Sequence, residues 1–104
     1  MMPQVDTTIT RMQDDTRRNE ALRQAATAYV GSMLEQEMAG RAVQLNADGT
    51  SLAHRQQWEI GKQVEFYLVN FLNAFSGAVY VPDMRAGITW DAIRMSVNVK
   101  VWIV

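Results

Sequence analysis

The chain contains no cysteine. That excludes a disulfide scaffold, a thiolate zinc site, an iron–sulfur cluster and a cysteine nucleophile. It contains one histidine, His54. The positions three and four beyond it are Gln57 and Trp58, so the His/carboxylate spacing of a helical metal site is missing. No Gly-x-Ser-x-Gly, Walker loop or Gly-x-Gly-x-x-Gly occurs. Ser51 lies near His54, but no acid is placed to orient the imidazole. Asp48-Gly49 fails as the middle of a calcium loop, because the first and twelfth positions would be Gln44 and Arg55. Glu59 and Glu65, and likewise Glu35 and Glu37, stand on diverging helix faces, so neither pair is set for acid–base work. The expectation is a protein that is not an enzyme, with no metal and no cofactor.

An excess of one charge is also lacking. Ten Lys+Arg stand against eleven Asp+Glu, a formal charge of −1. Affinity for nucleic acid by coating it with positive charge is therefore not expected. Arg17, Arg18 and Arg23 cluster, but Asp14, Asp15 and Glu20 interleave them and no aromatic lies nearby for base stacking. Long hydrophobic runs are missing too. The charge-free stretch 66–81 contains Asn70, Asn73, Ser76 and Gly77, and a spanning helix needs about 20 mainly apolar residues. No membrane span is expected. The first six residues lack a basic segment followed by an apolar run, so no signal peptide is expected. Small size and a preference for Arg (eight) over Lys (two) suit a small bacterial or phage-encoded accessory or structural protein, cytoplasmic or virion-associated.

What is present is a globular composition: 104 residues, 48% hydrophobic and 20% charged, enough for one core. Residues 1–13 read as a flexible tail or an edge strand, with Val5, Thr7 and Ile9 alternating. Residues 14–104 read as a single α+β domain. A first helix starts at Asp14-Asp15-Thr16, each a good N-cap type. Its apolar residues Leu22, Ala25, Ala26, Tyr29, Val30, Met33, Leu34 and Met38 fall at gaps of three and four, one stripe facing a core. It ends near Gly40. Asp48-Gly49 then marks a turn. Either this is a plain interhelical loop or Val43-Gln44-Leu45 pairs with the residues after Gly49.

A second helix runs from Ser51, as N-cap, to about Ser76. Trp58, Gly61, Val64/Glu65, Leu68, Phe71/Leu72 and Phe75 trace one inward face. The loss of charge after Glu65 predicts burial nearly all round. Gly77 reads as a C-terminal cap and 78–81 as a short strand. Residues 83–87 read as a loop, with 88–91 either extending the next strand or forming one helical turn capped by Thr89. The last segment alternates strictly: Ile93, Met95, Val97, Val99, Val101 and Ile103 against polar neighbours. This predicts a long C-terminal strand over 93–104 with one buried face.

The resulting fold is α+β, two long antiparallel helices packed on a small antiparallel sheet. Its difficulty is a long strand whose clear partner, 78–81, is less than half its length. The deficit is met by 5–10, by 43–45, or by a second copy of the chain. The reading is a non-enzymatic interaction or assembly subunit acting as a homo-oligomer, with another protein as a further partner. The expected interface residues are Trp102, Lys100, Val104, Phe71 and Phe75, since Trp102 stands on the polar face of the last strand. The competing reading is a small-ligand binder or enzyme with a pocket lined by Trp58, Tyr67 and Trp90.

Overall fold

A computed structural model of the chain describes residues 14–75 and 81–104. Residues 1–13, Gly77 and three of the four residues of the expected strand 78–81 lie outside that description. The remaining one, Val81, is not in a strand. The described elements are α1 (Asp15–Met38), α2 (His54–Asn73), β1 (Met84–Asp91) and β2 (Ser96–Ile103).

Helix α1 begins where its chemistry dictates. The Asp14 side chain accepts from the Arg17 amide at 3.1 Å, satisfying one of the helix's open N–H groups. Asp15, in the first turn, pairs with Arg18 at 3.1 Å. Arg18, Leu22, Ala26, Val30 and Leu34 are buried at every fourth position, which makes a narrow apolar stripe closed at one end by a cation. Ala25, Tyr29, Met33 and Met38 flank it, as the spacing predicts. The helix stops before Gly40, whose φ of +77° a residue with a Cβ would adopt only at a cost.

The connection to α2 falls between the two expected readings. It is a loop closed by one antiparallel bridge, Leu45 to Leu52. Its tip holds Gly49 at φ +72°, and the Asp48 carboxylate accepts from the Thr50 amide and hydroxyl. Ser51 is not the N-cap of α2, because the turn uses it: its hydroxyl accepts from Asn46 Nδ2 and its carbonyl from the Asn46 amide. The helix starts at His54, with Ala53 in the cap position and no side-chain cap. Gln56 anchors this entry instead. Its buried amide donates to the Ala42 carbonyl and accepts from the Gln44 amide.

The inward face of α2 is Gln56, Ile60, Val64, Tyr67, Leu68 and Phe71. Two expectations are corrected here. Trp58 is outside, not on the core face, and the segment after Phe66 is not buried all round, since Phe66 and Val69 are exposed. The missing charges leave an apolar outer face rather than marking a buried one. The two helices run antiparallel. Tyr29 meets Phe71 and Asn70, Glu37 meets Tyr67, and the end of α1 meets the start of α2.

The sheet is a hairpin. β1 and β2 pair antiparallel over eight residues each, from Met84 opposite Ile103 to Asp91 opposite Ser96. Thus 84–91, read in part as a loop, supplies a full-length mate for the C-terminal strand. Met-Arg-Ala-Gly has little strand propensity of its own, and cross-strand pairing overrides it. The strand itself is shorter than 93–104. The Asp91 carboxylate accepts from the amides of Ile93 and Arg94, both at 3.0 Å, and fastens a turn over 92–95. Met95 takes φ +54° to complete it. The period-two pattern therefore misplaces its first two members, and Ile93 is 96% exposed.

One face of the hairpin carries Met84, Ala86 and Ile88 against Ile103, Val101 and Val99, and it closes on the helices, α1 over β2 and α2 over β1. The core lies between this face and the two helical stripes. Replacing the fully buried Leu22 by alanine is expected to cost about 2–5 kcal/mol in chemical denaturation. Ile93→Ala, in the exposed turn before β2, should change stability by less than about 0.5 kcal/mol.

Candidate interaction surfaces

Among the described residues, no strand pairs with the outer edge of β2. The Val104 amide donates to the Asp83 carbonyl at 3.0 Å, so 83 and 104 form a hydrogen-bonded pair. In an antiparallel ladder such pairs alternate with pairs whose backbone groups point outward. Trp102, Lys100 and Asn98 therefore bond to β1, whereas the N–H and C=O groups of Val97, Val99, Val101 and Ile103 face away from it. One of these acceptors is engaged: Arg23 of α1 donates to the Val101 carbonyl at 3.3 Å. Glu20 holds the same guanidinium at 2.6 Å, and this hydrogen bond keeps the Glu20 carboxyl below its ordinary pKa.

Beside the rest of that edge lies a cleft of about 680 Å³. Its walls are Gly31, Leu34, Glu35 and Met38 of α1, Arg41 and Val43 of the connection, and 95–99 of β2 and the preceding turn. Layer geometry explains it. Packed helices stand about 8–10 Å apart, and strands about 4.8 Å. Two helices thus cover the width of about four strands, and this sheet has two among the described residues. Gly31 widens the gap, since a Cβ built there would meet nothing within 4 Å.

The outer face of the hairpin carries Arg85, Gly87 and Thr89 opposite Trp102, Lys100 and Asn98. The Trp102 ring lies across Gly87, its edge 3.5 Å from where a Cβ would stand, and Lys100 Nζ sits 5.8 Å over the ring. Trp102, Lys100 and Val104 are exposed, as their positions in the alternation suggest. Phe71 and Phe75 are not available to a partner. Both are core residues, stacked on one another at 5.0 Å, because α2 turns them toward α1 and the sheet. The spacing places both on the inward face of the second helix, where the structure keeps them; it is their reading as interface residues that is overturned.

The third surface is the outer face of α2. Trp58 is 62%, Phe66 64% and Val69 53% exposed, with Lys62 Nζ 5.7 Å over the Trp58 ring.

The residues proposed for a pocket do not converge. Trp58 is on the outer face of α2. Tyr67 is buried, its hydroxyl donating to Glu37. Trp90 reaches sideways from β1 to donate to the Thr50 carbonyl at 3.1 Å. None of the clefts found beside the helices and strands is lined by two of them. His54 is exposed, and among the described residues no group of three or more His, Asp or Glu side chains is placed to hold a metal ion. Arg18 and Arg23 of the basic cluster turn to Asp15 and Glu20 of their own helix. Among the described residues no helix is long and apolar enough to cross a membrane. No family model, no curated protein and no solved structure matches the chain.

Burial, and then the hydrogen bond to Glu37, push the Tyr67 phenol above its ordinary pKa of 10.0. The unfolded chain therefore loses this proton first. Its contribution to stability is intact below about pH 10 and falls away as pH rises through the folded value. Denaturation midpoints of the wild type should hold from pH 8 to about 10 and fall above that, and Tyr67→Phe should flatten part of the decline.

Proposed function

We propose that the chain is a non-enzymatic assembly subunit that works as a homo-oligomer, accepting an extended strand from a neighbouring copy along the outer edge of β2. The observation that carries this reading is the edge of β2 that no described strand covers, beneath a helical layer wider than the two described strands. The original motive, a long strand without a mate, is gone, because β1 pairs with β2 along its whole length. The need for a neighbour moves one strand outward. A two-stranded sheet is marginal in water by itself. Unpaired edge groups are a template for another chain, and Lys100 is the one charged side chain on β2 to discourage it.

Strand addition uses main-chain hydrogen bonds for affinity and side-chain pockets for specificity. Both are supplied: outward N–H and C=O groups at alternate residues, apart from the Val101 carbonyl held by Arg23, and beside them a cleft with apolar walls at Leu34, Met38 and Val43 and charged ones at Glu35 and Arg41. Met95 and Val104, one at each end of the same edge, are exposed apolar residues that a neighbour along it would cover. A net charge of −1 sets no like-charge barrier between copies.

Sedimentation or light scattering at micromolar concentration is expected to give a mass above the 11.8 kDa of one chain. Val99→Pro is the directed test. The Val99 amide points away from β1, so proline removes no rung of the internal ladder. The variant should remain folded by circular dichroism and lose mass. A wild-type monomer, or a folded variant as large as the wild type, would contradict the proposal.

A further inference from the structure

Trp58, Lys62, Phe66 and Val69 recur at gaps of four, four and three along α2, opposite Ile60, Val64 and Phe71 of its core face. At about 100° per residue the four stay within a sector of roughly 80°. The two rings expose roughly 200–300 Å² of apolar surface between them. The informative feature is their grouping on one strip of the helix, since exposed apolar residues are ordinarily scattered singly. We infer that this stripe is a second self-association surface, on which α2 packs antiparallel against α2 of another copy about a two-fold axis. It is separate from the β2 edge and stands on its own observation.

The charges select a second copy as the occupant. Lys62 in the middle of the stripe and Glu65 at its border lie three residues apart and have opposite signs. Turning a second α2 end for end brings Lys62 level with Glu65 of the other copy, and by symmetry the pair forms twice. The same register sets Trp58 against Val69 of the other copy and lays Phe66 along the stem of its Lys62. Centring the axis on Lys62 instead would oppose lysine to lysine and Glu59 to Glu65, which is unfavourable. Glu65 reaches Arg85 at 3.3 Å within the subunit, an exposed pair that leaves its second oxygen for the neighbour. The stripe is smaller than the roughly 800 Å² per partner of a standard interface, so the contact is reversible and depends on concentration.

The test uses the full-length Val99→Pro chain, which isolates this contact from the strand edge, and repeats the comparison in the wild-type background. Sedimentation equilibrium should show a concentration-dependent dimer that Phe66→Glu removes. Lys62→Glu alone and Glu65→Lys alone should each weaken it by about tenfold, through two reversed pairs. The double reversal should restore it to within about twofold. If the single reversals leave association unchanged, or the double reversal does no better than either, self-pairing of α2 is overturned and the stripe serves a different partner. The strand-edge reading is scored separately, by the mass lost from wild type to Val99→Pro.

Discussion

The pairing of Met84–Asp91 with Ser96–Ile103 is the constraint on which the molecule depends. Its register decides which side chains face the helices and, through ladder alternation, which backbone groups face outward. A slip of one residue would turn Val97, Val99, Val101 and Ile103 from the core to water. Asp91 sets that register at the turn by accepting from two amides, and the Asp83–Val104 bond secures the open end. The every-fourth-residue stripes of α1 and α2 then have one apolar surface on which to close.

Much of this is legible in the residues. The spacing from Leu22 to Met38 gives the apolar part of the core face of α1, because a three-and-four pattern has a single helical solution, and it misses only the buried Arg18 at its start. The alternation from Val97 to Ile103 gives β2. What fails does so where a side chain overrides a pattern. Period two continues through Ile93 and Met95, yet the Asp91 carboxylate claims the amides there and bends the chain into a turn. Ser51 is a good cap by type, but the Asp48-Gly49 turn consumes it. β1 is hidden because Ala86 and Gly87 form strand only when β2 is beside them.

The surfaces were harder to read than the core. An apolar residue on a helix reads the same whether it is covered by its own subunit or by another, so the spacing puts Trp58 on one inward face with Phe71 and Phe75, and the structure keeps only the last two there. The missing charges after Glu65 signalled burial, and what they mark is an outer face that stays apolar. Trp102 was recognisable as out of place, but its seat over Gly87 follows only from the cross-strand register. The open edge of β2 was not readable at all, since it arises from the width of two helices set against that of two strands.

These features belong to one account: a helical layer and a sheet of unequal width, with apolar surface left at the rim where the mismatch falls. Amide hydrogen exchange across a concentration series tests it most directly, because the ladder supplies its own controls. The amides of Asn98, Lys100 and Trp102, bonded to β1, should be protected at every concentration. Those of Val97, Val99, Val101 and Ile103 should exchange rapidly in dilute solution and become protected as the protein is concentrated. Rapid exchange of the second set at all concentrations, or protection of it in the isolated subunit, would contradict the account.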